Sequence, residues 1–365
     1  MKKETITILC SGVTLGVYIP GLIVNSQLKK MGYCTEVVVL ENFFLKEKQQ
    51  NIPNTKLAFH RDFSVALMGQ KLAKIIFSSI DVDLILALLT TWKNERRKHF
   101  IIFSGFWLPI MEKYLHTIDS KGVSIELCHM DAALSTSWKS YKTDHPCFRH
   151  VWFFNWDKKN IFYGLHTSEY EAIPYSKRIN RFVTHGGGWG IGTYKNKIPQ
   201  LEERGIKLDA ITYEKNDIEN GVEGNRYFMV DPEWKPWEKN EQGIHQFPPF
   251  SEIKGNKIEF RNNKQFPEIY YLIQQSQAII SKPGGSTLLD SLSFATPLIL
   301  LEPFGEHESK NALLWEYLGF GISYQKWIDS GCSLDILEKL HTNLLKARST
   351  IQNYVEAHYA TSNNS

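Results

Sequence analysis

The chain has 365 residues, 42% of them hydrophobic and 22% charged, with a formal net charge of +3. This length exceeds what one hydrophobic core usually spans, so two domains are expected, and the composition excludes a disordered chain. The balance of 42 basic against 39 acidic residues excludes binding to nucleic acid by bulk charge.

The segment "TITILC" (Thr5–Cys10) has the pattern of a buried strand. A glycine-bearing loop follows, then a helix through "PGLIVNSQLKKMG", with Pro20 in its first turn and Gly32 closing it. "TEVVVL" (Thr35–Leu40), "HFIIFSG" (His99–Gly105), "VSIELCH" (Val123–His129) and "HVWFFN" (His150–Asn155) are further strands, with a helix through "WLPIMEKYLHTI". No apolar run approaches the roughly 18 residues of a membrane span; the start is too short in apolar residues for a secretory signal. The five cysteines are scattered and form no Cys-x-x-Cys pair. A disulfide framework or zinc site is therefore not expected, and a cytoplasmic location is.

The polar segment Thr167–Arg178 is a linker, after which a second strand and helix series begins. "NRFVTHGGGWGIGTY" runs from a strand into a loop with five glycines in eight residues, His185–Gly192. A helix over Lys195–Arg204, strands near "LDAITY" and "RYFMV", and a helix over Glu268–Gln277 come next. The strand "AIISK" (Ala278–Lys282) feeds the loop "PGGST", a helix Ser286–Phe294 and the strand "PLILLE". Asp231–Phe250 is rich in Pro and Trp without a period; Trp234 and Trp237 either stack on an acceptor or pin the loop. The tail from Leu334 is helical. Alternation of this kind specifies an α/β fold of two Rossmann-like domains facing across a cleft. Residues 1–170 form the first, 171–178 the linker, 179–340 the second, and 341–365 a C-terminal helix and tail that can cross back to the first.

Ligands of open α/β sheets bind beyond the carboxyl ends of the strands. Two glycine loops lie there in the second half. Gly187, Gly188 and Trp189 belong to one; Lys282, Gly284 and Gly285 belong to the other, with Ser286 and Thr287 placed to cap the next helix. Glycines let backbone N–H groups approach a phosphate, and a helix N-terminus favours the anion. Asp290 lies one turn further on, where an acid can accept hydrogen bonds from a ribose diol.

"SKPGGSTLLDSLSFATPLILLEPFGEHESKNALLWEYLGFG" resembles the donor-binding segment of GT-B glycosyltransferases. It is nearest to the transferases that move N-acetylglucosamine from UDP onto lipid I, to the galactolipid synthases and to related natural-product glycosyltransferases. The resemblance implies that Gly284–Thr287 cradle a diphosphate and that Asp290 holds the ribose, where the family usually carries Glu. It implies that Glu306, His307, Glu308 and Asn311 meet the sugar. "GVTLGVYIPG" and "IIFSGFWLP" resemble the family's acceptor loops, which implies acceptor contacts from Gly16, Val17, Tyr18, Phe106 and Trp107; Val17 stands where the family carries His. "ELCHMDAALS" resembles the strand ending in a His-acid cluster, which makes Asp131 the candidate base, with His129 as partner or substitute.

The resulting expectation is an inverting transferase that takes a sugar from a nucleoside-diphosphate donor to a small-molecule or lipid-linked acceptor. It requires no cofactor or metal; "DVD" at Asp81–Asp83 is the one Asp-x-Asp and lies in the wrong half. "GFWLPIM" either makes a peripheral membrane contact, as a lipid-linked acceptor would need, or belongs to the core. The alternatives are a nucleotide-sugar hydrolase or 2-epimerase, or a non-catalytic subunit of the same fold. The oligomeric state is left open.

Overall fold

The computed structural model describes residues 4–71, 73–166, 171–218, 224–254 and 258–360. Strands β1 (Thr5–Cys10), β2 (Cys34–Val39), β3 (His99–Ile102), β4 (Ser124–His129) and β5 (Phe148–Trp152) build the first sheet. Its order is β2-β1-β3-β4-β5, and every pairing is parallel. Parallel strands are covered on both faces, and so β1 ends in an apolar run whose Ile8, Leu9 and Cys10 are fully buried. The order reverses between β1 and β3, which makes the ends of those two strands the natural ligand crevice of this half.

Short strands β6 (Phe154–Asn155) and β7 (Asn160–Ile161) form an antiparallel pair, and β8 (Tyr163–Gly164) lies just beyond. The second sheet holds β9 (Ile179–His185), β10 (Leu208–Thr212), β11 (Arg226–Val230), β12 (Phe250–Glu252), β13 (Ser276–Ser281), β14 (Leu298–Leu300) and β15 (Gly321–Ser323). Its order is β12-β11-β10-β9-β13-β14-β15, and among the described residues only the edge strand β12 is antiparallel. The reversal here falls between β9 and β13.

Two features differ from the sequence expectation. The first helix begins at Leu15, so Pro20 lies inside it rather than in its first turn. With no N–H at Pro20, the Gly16 carbonyl loses its helical partner. The helix after "PGG" starts at Gly285 with Gly284 as its N-cap, and no side chain caps it. Its first N–H groups are thus left to whatever meets the loop.

The chain crosses back at its end. After the helix Leu334–Thr350, β16 (Gln352–Asn353) pairs with β8, and the helix Tyr354–Tyr359 docks on the first half. Its anchor is Glu126 in β4, buried and accepting from Tyr354 Oη at 2.5 Å, Tyr359 Oη at 2.8 Å and Arg149 at 2.5 Å. Of the linker segment Thr167–Arg178, residues 167–170 lie outside the described residues. Its last residue, Arg178, is buried and donates to the Phe294 carbonyl at 2.6 Å and the Ser276 carbonyl at 2.7 Å. A cation at those carbonyls complements the C-terminal end of helix Gly285–Phe294.

Candidate active site

The two glycine loops are neighbours because β9 and β13 are. Ser281 pairs with His185 in the sheet, so "HGGGWGIG" and "KPGGST" leave side by side at the point where the strand order reverses. Ser281 Oγ donates to the His185 carbonyl at 2.8 Å, and Gly187 N–H donates to His185 Nδ1 at 3.0 Å. Burial, with Lys282 nearby, lowers the His185 imidazole to about 4, so the ring is neutral and fit to accept that bond. Lys282 runs between the loops. A Cβ at Gly187 would lie 3.9 Å from its ammonium, and one at Gly284 3.4 Å. The ammonium pairs with Glu308, whose other oxygen accepts the Phe304 N–H at 2.6 Å.

The halves touch directly at this point. A Cβ at Gly285 would sit 2.1 Å from the Met130 carbonyl oxygen and 2.9 Å from Asp131 Oδ1. A Cβ at Gly188 would sit 2.4 Å from that of Leu15. Both contacts exclude any larger residue, because real Cβ atoms do not approach so closely. Gly16 and Ser286 face each other, so the N-termini of the first helix and of helix Gly285–Phe294 converge. Asn311 then bridges the halves: its Oδ1 accepts from Ala132 N at 2.6 Å, and its Nδ2 donates to Asp131 Oδ1 and the Pro283 carbonyl, both at 2.8 Å.

The stretch assigned to the sugar is dispersed over several roles. Glu306 is exposed and pairs with Lys139 of the opposite half at 2.6 Å. His307 is half-buried in the same helical turn, Glu308 neutralises Lys282, and Asn311 has both ends of its amide engaged between the halves. Asp290 is half-buried and bonded to the Tyr270 hydroxyl; burial pushes its carboxyl up to about 7, and that bond only partly opposes the rise.

No family model matches the sequence, and no curated protein matches it. Solved structures do match, across nearly the whole chain. MurG of Acinetobacter baumannii covers 97% of this chain and 97% of its own, at 10% identity and a TM-score of 0.50. The Streptomyces sp. SF2575 glycosyltransferase SsfS6 covers 96% of this chain and 97% of its own, at 10% identity and a TM-score of 0.54. Glycosyltransferase VinC, solved with dTDP, covers 97% of both chains, at 8% identity and a TM-score of 0.55. This chain has the GT-B fold.

In the N-terminal half of this GT-B molecule the aromatic residues expected at an acceptor surface lie deeper. Trp107 is fully buried and its Nε1 donates to the Cys10 carbonyl at 2.8 Å, so it is a core residue. Tyr18 is fully buried too, its hydroxyl donating to the Gln246 carbonyl at 2.8 Å and its ring edge-on to Trp234. The Trp/Pro segment is therefore a strap from the C-terminal half, pinned on the first helix, with Trp237 in the core. Val17 is half-buried against the cluster that holds Tyr18 and Trp237, and Phe106 against the one that holds Trp107. The aromatic pattern left stacking and pinning equally open for Trp234 and Trp237, because core and stacking surfaces use the same residues.

His129 is buried between Trp138 and Trp152 and hydrogen-bonds His150 at 2.8 Å. Burial, then His150, lowers its ring to about 3, which keeps it neutral. Asp131 is half-buried two residues later, at the junction of the halves. Asp81 caps its own helix, accepting from Asp83 N at 3.0 Å and Leu84 N at 3.2 Å, and so has a local structural task.

Two contacts between distant segments are not legible in the sequence. Glu41, at the turn after β2, is fully buried and accepts from Ser11 Oγ at 2.6 Å, Gly12 N at 2.6 Å and Val13 N at 3.0 Å. An acid ending the second strand was visible; its return onto the first loop was not. His60 reaches from the N-terminal half to the Gly190 carbonyl at 2.9 Å and Asp217 at 3.0 Å. His60, Glu214 and Asp217 bring three ligand atoms together as a metal would require. Lys195 Nζ already lies 3.1 Å from His60 Nε2 and 3.2 Å from Asp217, and Arg61 engages Glu214 at 2.7 Å. The cluster is satisfied as an ion network that clips the halves together.

Proposed function

We propose that this protein transfers a sugar from a nucleoside-diphosphate donor to a hydroxyl or amine, with inversion and without a metal. One observation carries the reading: Lys282 lies between two glycine loops at the C-terminal switch point, beside a helix N-terminus that no side chain caps. A diphosphate seated there meets backbone N–H donors and an ammonium, which supply the charge stabilisation that a divalent cation gives elsewhere. VinC, of the same fold, was solved with dTDP.

In the proposed step the acceptor oxygen or nitrogen attacks the anomeric carbon from the N-terminal side. Its proton passes to the Asp131 carboxylate as the bond to the diphosphate breaks. Lys282 and the loop N–H groups hold the departing charge, and Glu308 yields the ammonium to it. Positioning of both partners across the junction provides the rest.

The test is calorimetric titration of UDP and dTDP in EDTA. Saturable binding that Lys282→Met weakens supports the donor site; no binding of either nucleotide refutes it. Incubation with a panel of nucleotide sugars then separates the classes, since sugar release without any acceptor at full rate marks a hydrolase.

A further inference from the structure

Three consecutive residues of one glycine loop are held by the opposite half. Gly188 is pressed on Leu15, the Trp189 ring lies 5.7 Å from that of Phe59, and the Gly190 carbonyl stands 2.9 Å from His60 Nδ1. Phe59 and His60 belong to the helix Ile52–Arg61, and Lys56, on the same face one turn earlier, lies 5.6 Å over the Tyr213 ring. A carbonyl oxygen only accepts, so His60 carries a proton on Nδ1 and donates it there. Nε2 faces Asp217 Oδ2 at 3.0 Å and Lys195 Nζ at 3.1 Å, which fixes the plane of the ring. Gly190 has a φ of +64°, and a Cβ on it would meet Tyr213 at 2.3 Å and His60 Nδ1 at 2.4 Å. On its other side the loop meets Lys282: Cβ atoms at Gly187 and Gly192 would both lie 3.8 Å from its side chain. The loop is thus a layer between the lysine of the proposed diphosphate seat and a helix of the N-terminal half.

We propose that His60, backed by Phe59, is a positioning residue for the donor: by holding the Gly190 carbonyl it sets the glycine loop in the conformation that receives the diphosphate. Donor recognition then depends on side chains of the opposite half. The proposal rests on the transferase reading for the word donor; the contacts of the loop stand without it. Five glycines in eight residues leave His185–Gly192 little conformational preference of its own. A loop that must order itself around a phosphate loses affinity by that entropy, and a loop already held does not. His60 touches no ligand in this scheme and acts through the Gly190 carbonyl. A clip that merely joins the halves, such as Arg61 with Glu214, would affect stability without favouring a diphosphate over a monophosphate.

The experiment titrates the full chain with UDP and dTDP and with the corresponding monophosphates by calorimetry, circular dichroism confirming the fold of each variant. His60→Asn places its amide nitrogen where Nδ1 was and keeps the bond to Gly190; His60→Gln reaches past it toward Asp217. His60→Gln is expected to lower diphosphate affinity about tenfold, the worth of one hydrogen bond, and monophosphate affinity by less than about threefold. His60→Asn and Arg61→Ala are expected to keep the parent ratio of the two affinities. An unchanged ratio in His60→Gln, or a ratio that falls as far in His60→Asn or Arg61→Ala, overturns the proposal. Hydrogen exchange over residues 187–192 reads the loop with no ligand present: it should quicken in His60→Gln and keep the parent rate in His60→Asn. Equal exchange in the two variants overturns the proposal as well. If His60→Gln does not fold, Phe59→Ala takes its place with the same expected losses and the same criteria. If neither diphosphate binds the parent protein but exchange keeps that order, the donor site is refuted and His60 still sets the loop.

Discussion

Asn311 and Asp131 belong to opposite halves of the molecule and are joined by a hydrogen bond of 2.8 Å from Asn311 Nδ2 to Asp131 Oδ1. The same amide also takes the Ala132 N–H and gives to the Pro283 carbonyl, so one side chain ties the proposed base to the loop that faces the diphosphate. Asn311 is fully buried, and truncation would strand the groups it serves. Asn311→Ala is expected to cost about 2–3 kcal/mol by chemical denaturation, the scale of leaving buried donors and acceptors unmade. Asn311→Asp, which sets a carboxylate against that of Asp131, should cost at least as much at neutral pH. A variant of unchanged stability would remove Asn311 as the bridge.

Gly285 is the second glycine of "PGG", and the Met130 carbonyl is the reason it cannot be larger. Gly285→Ala should push the halves apart at this point. The expected cost is about 1–3 kcal/mol, as for other overpacked sites, with faster hydrogen exchange at residues 130–132 and 283–287. Gly285 is not among the glycines of positive φ, so this cost is steric and not backbone strain.

Lys282 and Glu308 compete for the same charge as an incoming diphosphate would. Lys282→Met should weaken nucleoside-diphosphate binding by about 10- to 100-fold, the worth of a charge-assisted contact. Glu308→Gln should act in the opposite direction and tighten it, because the ammonium is then free. Isothermal titration of UDP or dTDP distinguishes the two signs; weakening by both variants would show that Glu308 supports the loop rather than competes for the lysine.

Glu126 gives the crossing helix a pH dependence. Burial alone would raise its carboxyl, but bonds from His358 and Tyr354, the Arg149 charge and the Tyr359 hydroxyl outweigh it and hold the group down to about 2 against an ordinary 4.5. A depressed acid stabilises the fold above its unfolded value, and that contribution is lost as pH falls from about 4.5 through about 2. Over that window it amounts to about 3 kcal/mol. Denaturant melts at pH 6 and pH 3 should show about 2 kcal/mol of that loss, and Glu126→Gln should flatten this part of the profile. An equal slope in both proteins would assign the acid sensitivity elsewhere.

The alternation of apolar strands with helices determined that there would be two parallel sheets, and the strand ends determined where the glycine loops would emerge. These are local facts, written in periods of two and 3.6 residues and in positions relative to a strand's end. The sequence also placed Lys282, Gly284 and Gly285 next to the loop Gly187–Trp189 in kind, though not in space. What tertiary structure alone decided was the partner of each group. Gly285 meets Met130, Asn311 holds Asp131, and Glu41 turns back onto Gly12, across separations of 29 residues in the last case and 180 in the second. Trp107 and Tyr18 show the same limit from the other side, since an aromatic ring that reads as a stacking surface is here spent on the core and the strap. Such pairings follow from how the two halves and the returning C-terminal helix pack, a long-range steric and hydrogen-bonding solution that no local period encodes.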